Sequence, residues 1–230
     1  MTRIPDHPLI DNIFWHALSG PQAVFAVGAG AARRYAPGFS PIAGFAEPQR
    51  PDLEALRPCC AAGEPFYTDG WSGPVPDGWK LDVESTMFKM LWIGELPAAD
   101  EAPEALPLRP EHAGQALALA QLTRPGPFGL RTIGLGDYFG LFDGERLMAM
   151  AGERSFAGEL REVSGICTHP DYQGRGLARR LTAKLVRREL LRGETPFLHV
   201  MRGNEGARAL YRRMGFVDIR ESVVRVVRCD

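Results

Sequence analysis

The spacing of apolar residues changes character near residue 105 of this 230-residue chain. Beyond that point it is regular. Leu177, Leu181 and Leu185 recur every four residues, joined by Ala178 and Val186, which predicts one buried face of a helix running to about Leu191. Residues 160–168 and 196–201 read as strands. Residues 137–142 and 146–153 flank Asp143-Gly144, the turn pair of a tight hairpin. Residues 106–109 predict a short strand. Residues 110–122 predict a helix with Ala113, Leu117 and Ala120 or Gln121 on one face, ended by the Pro- and Gly-rich run 123–129. Residues 205–214 predict a helix closed by Gly215, and 216–227 close the sheet as one strand or two. The resulting order, β-α-β-β-β-α-β-α-β, predicts a mixed α/β layer.

Before residue 105 the pattern is irregular. Residues 23–27 read as a strand and 41–46 as a weaker one. Residues 52–60 read as a short helix opened by Pro51. Residues 64–68 and 79–93 look extended, with a Gly/Pro loop between them. Residues 96–107, rich in Pro, Ala and acids, read as a linker. The expected organisation is therefore an α+β module over 1–104 and an α/β domain over 105–230.

Composition sharpens this division. The chain is 45% hydrophobic, enough for a core, and its net charge is −1. Residues 1–104 hold 7 basic and 14 acidic side chains, a net of −7, and the rest carry +6. Such asymmetry suggests two modules or a half that handles an anion. No apolar run reaches the ~18 residues of a membrane span, and the first residues lack the apolar core of a signal peptide. The 4 cysteines form no CxxC pair, which argues against a zinc site and for a reduced, cytoplasmic setting.

The clearest chemical signal lies in Thr168-His-Pro-Asp-Tyr-Gln-Gly-Arg-Gly-Leu-Ala178. A strand ends, Gly174 and Gly176 free the backbone, and a helix begins. Its first amides lack internal partners and carry the positive end of the helix dipole, which suits phosphate oxygens. Arg175, and Arg179 or Arg180, add charge. No Gly-Lys-Ser/Thr follows, so this is not a nucleotide P-loop. Gly28-Ala-Gly30 resembles half of a dinucleotide fingerprint, but Arg33 and Pro37 spoil the rest.

These residues resemble the signatures of the GNAT superfamily of acyl-CoA-dependent N-acyltransferases. Gln173-Gly-Arg-Gly-Leu-Ala178 is similar to its Gln/Arg-x-x-Gly-x-Gly/Ala motif. Asn204-Glu-Gly-Ala-Arg-Ala-Leu-Tyr211-Arg-Arg-Met-Gly-Phe216 matches a second one without gaps. The resemblance covers about residues 105–228. It implies a GNAT fold, a mixed, mostly antiparallel sheet flanked by helices. The N-terminal α+β module has no such match and is open to being a degenerate GNAT-like domain. It further implies acetyl-CoA as co-substrate, with no metal, lying where the strands at 168 and 196 splay apart. The amides of Ile166 and Thr168, on either side of Cys167, would pair with the pantetheine arm. The amides of Gly174, Arg175, Gly176, Leu177 and Ala178, led in by Gln173, would hold the pyrophosphate. Asn204, with Ala207 of the same motif, would contact the cofactor arm.

In such a reaction an amine attacks the thioester directly. Its ammonium, with a pKa near ~10.4, must lose a proton and the leaving thiolate must gain one. Tyr211, seven residues after Asn204 and on the same helical face, is the expected acid. Glu162 is the expected base, direct or through water, with Glu159 as a weaker substitute. His169 reads as a loop residue, and His199 as a mid-strand core or cleft residue. Cys167 is a weaker candidate for an acyl relay. The basic face Arg179, Arg180, Lys184, Arg187, Arg188 and Arg192 reads as solvated or as serving the CoA phosphates rather than nucleic acid. The resemblance places Arg131 and Thr132, with residues 123–129, in the region that caps the acceptor site. The acceptor is expected to be a small-molecule or peptide amine, and the protein a monomer or homodimer without membrane or nucleic-acid partners. The alternatives are a silent acyl-CoA sensor or an aminoacyl transferase.

Overall fold

The computed structural model describes residues 7–229, and the reading of the first six residues lies outside that range. An eight-stranded sheet organises the molecule. Its strands are β4 (Pro65–Asp69), β5 (Trp79–Trp92), β6 (Leu106–Pro107), β7 (Tyr138–Asp143), β8 (Arg146–Ala157), β9 (Leu160–Thr168), β10 (Thr195–Met201) and β11 (Phe216–Cys229). They lie in the order β4-β11-β5-β10-β9-β8-β7-β6. Only the β9–β10 pair is parallel; every other neighbour runs antiparallel. A smaller sheet joins β1 (Ala26–Val27), β2 (Ala32–Tyr35) and β3 (Ala43–Phe45).

Helices cover both faces of the large sheet. On one, α3 (Leu177–Leu191) and α4 (Glu205–Met214) pack through Leu181, Leu185, Val186 and Tyr211 against Phe139, Ala149, Ala151, Leu198 and Val200. On the other, α1 (Ile13–Ser19) and the small sheet bury Ile13, Phe14, Leu18 and Tyr35 against Met87, Leu91 and Phe197. On that same side α2 (Ala113–Thr123) covers Tyr138, Met150 and Cys167. Strand alternation requires this partition: Leu198 and Val200 face one layer, Phe197 and His199 the other.

The mixed α/β, mostly antiparallel architecture agrees with the sequence reading, and α4 and β9 keep the predicted bounds. Several local expectations are corrected. Residues 23–25 form a 3-10 turn before a two-residue strand, because Val24 is 81% exposed and offers no strand face to bury. Arg57–Cys59 is a 3-10 turn in place of a longer helix. α2 buries Ala116, Leu119 and Ala120, one step round from the predicted face. Residues 216–229 form one strand, because β5 and β4 give it partners along its whole length. The expected linker packs on α3. Ala102 and Ala105 join the core, and Asp100, Glu101 and Glu104 pair with Lys184, Arg179 and Arg180 at 2.5 Å each.

The strand β5 from the first half fills the slot between β10 and β11 of the second half. The sheet therefore runs unbroken across the boundary expected at residue 104. A buried pair ties this region further. Lys89 Nζ lies 2.6 Å from Asp69 and donates to the carbonyls of Ile10 and Asp11 at 2.8 and 3.0 Å.

Candidate functional site

β9 and β10 pair in register only at Leu160–Thr195, Arg161–Pro196 and Glu162–Phe197. Beyond Glu162 they separate. One cause is local: Met150 faces Cys167 but Gly152 faces Ser164, so β9 carries one extra residue there. Gly165 absorbs it with φ +61°, and a Cβ at that position would stand 3.0 Å from the Tyr138 ring. The bulge bends β9 away from β10 and leaves the amides of 166–168 without a strand partner from β10.

A cavity of about 690 Å³ opens through this gap. Its walls include Ile166, Cys167, Thr168, Gln173, Gly174, Gly176, Leu177, Ala178, Asn204, Ala207 and Tyr211, so the structure brings these predicted residues together. Arg175 stands apart, its guanidinium over the Tyr172 ring at 5.0 Å. Gly174 and Gly176 have φ values of +76° and +73°, and Gly176 is the N-cap of α3. The first amides of α3 thus open at the cavity's end. The buried Thr168 Oγ1 in the wall has no partner among the described residues, as a ligand-binding hydroxyl would. These features fit a phosphate-bearing, hydrogen-bonding ligand such as the CoA arm. Asn204 Oδ1 accepts from the Ala207 amide at 3.2 Å and caps α4.

Tyr211 is buried against Phe216, with ring centroids 6.0 Å apart. Burial, with a smaller effect from nearby Cys167, pushes its hydroxyl well above the ordinary phenol range. It therefore keeps its proton at neutral pH. Burial also pushes the Cys167 thiol up to about 11, which suits a wall residue and opposes an acyl relay.

Glu162 does not line the cavity and is 0% exposed. Its Oε1 receives Arg154 Nη2 at 2.5 Å and meets His199 Nδ1 at 2.7 Å. Its Oε2 accepts from Arg154 Nε and the Ser155 amide, both at 3.1 Å. Burial works against this charge, but Arg154 and His199 outweigh it and hold the carboxyl far below its usual range. A direct base role for Glu162 meets both obstacles: it has no open oxygen, and as a carboxylate it resists protonation. Glu159 lies on a turn, 3.2 Å from His7. His169 caps a short turn at Asp171. The basic face of α3 is largely engaged, by the strap at 100–104 and by Asp137, which meets Arg188 and Arg192.

Of the region expected to cap the acceptor site, residues 123–127 line the cavity, whereas Arg131 and Thr132 do not; the rest of the opposite end was not legible in the sequence. Phe14, Ile42, Tyr67, Val83 and Met87 line it together with Arg154, His199 and Val224. Among the described residues no Asp or Glu lines the cavity. One signal for Phe14 was present: Ile10, Ile13, Phe14, Ala17 and Leu18 have helical spacing. No local signal marks Ile42, Tyr67 or Val83, which only the sheet assembly brings to this end.

A family model described as FR47-like protein matches residues 138–226. A solved protein from the GNAT family of Novosphingobium aromaticivorans DSM 12444 is 33% identical, with 98% of this chain and 100% of that chain covered and a TM-score of 0.85. A GCN5-related N-acetyltransferase from Kribbella flavida is similar in fold, at 18% identity, a TM-score of 0.61 and 95% coverage of both chains. The N-alpha-acetyltransferase RimI of Mycobacterium tuberculosis is 42% identical over 71 residues, 30% of this chain; the chain spans less than half of that relative, 44%. The full-length match, the splayed parallel pair and the glycine turn at the start of α3 converge: this chain belongs to the GNAT superfamily of acetyltransferases.

Proposed function

We propose that the protein transfers the acetyl group of acetyl-CoA to a primary amine by direct attack. The gap between β9 and β10, with Tyr211 on one wall and the glycine turn at its end, carries this reading. In it, the amides of Ile166 and Thr168 pair with the pantetheine arm. The amides from Gly174 to Ala178 hold the pyrophosphate, and Gln173, Asn204 and Ala207 border the arm. Tyr211 gives its proton to the departing thiolate, whose free thiol has a pKa near ~8.5.

The acceptor end is mainly apolar, with cationic Arg154 and no carboxylate among its described lining residues. That supports an amine flanked by apolar groups over a small polycation, which would need acids around it. The similarity to an N-alpha-acetyltransferase supports including peptide α-amines among the acceptors.

Thiol release from acetyl-CoA, measured across alkyl amines, aryl-alkyl amines and peptide α-amines, tests the reading. Turnover with an apolar amine is the expected result. Tight CoA binding with no turnover on any amine would replace it with the acyl-CoA sensor. In the active enzyme Tyr211→Phe should lower kcat by roughly 10²–10⁴-fold with little change in CoA affinity. Unaltered turnover would remove Tyr211 from the chemistry.

A further inference from the structure

We infer that His199 is the base that takes the acceptor's proton, and that Glu162 is its positioning residue. This rests on the acetyl-transfer reading above. His199 Nδ1 lies 2.7 Å from Glu162 Oε1. A carboxylate can only accept, so Nδ1 carries a hydrogen and donates it, and the neutral ring keeps its lone pair on Nε2. That Nε2 is buried and has no partner among the described residues, while the ring lines the cavity. The ring is fixed on two further sides, stacked on Phe14 at 5.1 Å and edge-on to Phe197 at 5.5 Å. A buried ring held on three sides with its basic nitrogen unmatched suits a site completed by a substrate N–H.

Position in the sheet adds an independent argument. His199 lies on β10 just past the last paired residue, Phe197, at the mouth of the gap. Its side chain shares the face of Phe197, the layer of α1, whereas Tyr211 packs with Leu198 and Val200 on the opposite layer. Base and acid therefore flank the gap from opposite sides. An amine entering from the α1 side meets the thioester with its sulfur toward α4.

The step balances in these terms. The ammonium gives one proton to His199 Nε2, and the imidazolium is stabilised by Glu162. The freed lone pair forms the C–N bond. The C–S bond then breaks, its electron pair goes to sulfur, and the sulfur takes the Tyr211 proton. The second proton lost by the new amide nitrogen restores Tyr211 by way of solvent. His199 releases the first to solvent, so one proton leaves per turnover.

The charged groups around His199 come from four strands. Glu162 lies on β9 and Arg154 on β8. Lys89 is its register partner on β5, neutralised by Asp69 of β4. Glu162→Gln offers Nδ1 an amide that can donate as well as accept, so the ring should lose its fixed tautomer, read from the ¹⁵N resonances of His199, and kcat/KM for the alkyl amine should fall.

The test uses the full chain and an amine that supports thiol release. His199→Gln should lower kcat/KM by roughly 10²–10⁴-fold for an alkyl amine. The loss should be small for an amine whose conjugate acid titrates below the assay pH, since that acceptor arrives already deprotonated. Added imidazole should restore part of the activity of His199→Ala. In the wild-type protein, the ¹⁵N resonances of His199 should report a protonated Nδ1 and a bare Nε2 at pH 8, a reading that needs no variant. Unchanged kcat/KM in His199→Gln, equal losses for both amines without imidazole rescue, or the reversed tautomer would each overturn the inference while leaving acetyl transfer intact. Absence of thiol release by the wild-type chain with every amine would overturn the transferase reading, and this one with it.

Discussion

Two carboxylates at the residue scale show the same burial ending in opposite outcomes. Glu162 is matched by Arg154, His199 and the Ser155 amide, and these overcome its burial and lower its pKa. A group held below its unfolded value contributes stability above about pH 4.3, and that contribution is lost as pH falls further. Glu162→Gln should therefore melt below wild type at pH 7, with the gap narrowing steadily below about pH 4. Glu189 of α3 is also 0% exposed, but neither of its oxygens has a partner among the described residues. Burial, reinforced by Glu153, raises its pKa well above the usual range. The folded state then holds a proton that the unfolded chain gives up, so the residue costs more stability as pH rises above about 4.3. Glu189→Leu should raise the melting temperature, by more at pH 8 than at pH 5, since it removes an orphaned buried polar group worth roughly 1–3 kcal/mol. An equal effect at both values would show that Glu189 is ionised in the fold.

Elements whose limits are set by local chemistry were legible in the sequence. Asn204 caps α4 and Gly215 ends it, so its bounds follow from two residues. The turn into α3 is similarly local. Gly176 needs its positive φ, and a Cβ there would meet nothing within 4 Å, so the backbone conformation alone selects glycine. Gly176→Ala should cost about 1–2 kcal/mol, the usual penalty of the left-handed region, and weaken CoA binding. Isothermal titration with CoA and a thermal melt would measure both parts. The face of α2 was misread because Ala-rich helices offer almost equal alternatives, and only contact with Tyr138, Met150 and Cys167 decides among them. α1 shows the converse, since its spacing was readable but its seven residues are too few to stand out without the sheet they cover. The glycine turn and Tyr211 were visible as motifs. Of the acceptor end only the run at 123–127 was, because the rest combines α1, β4, β5, β8, β10 and β11.

Across the whole molecule the opposed charges of the two halves largely meet each other. Arg220 pairs with Asp11, Arg225 with Glu84 and Arg228 with Asp82, as the α3 bases do with the acids at 100–104. Most of these pairs are partly exposed and each is worth about 0–1 kcal/mol, so they align the halves more than they hold them. The cohesion comes from β5. We propose on this ground that the division at residue 104 is one of sequence pattern and that the two parts fold together. A chain of residues 105–230 alone would leave facing edges on β10 and β11 and should be insoluble or unfolded. A soluble fragment with a single cooperative melt would refute that. The same strand has a consequence in time. β5 pairs with β10 and β11, more than 100 residues later in the chain. During synthesis it must wait for residues 195–229 to emerge before its edges are covered. Such distant pairing makes for slow closure. The protein should therefore depend, in the cell, on whatever shields β5 during that interval.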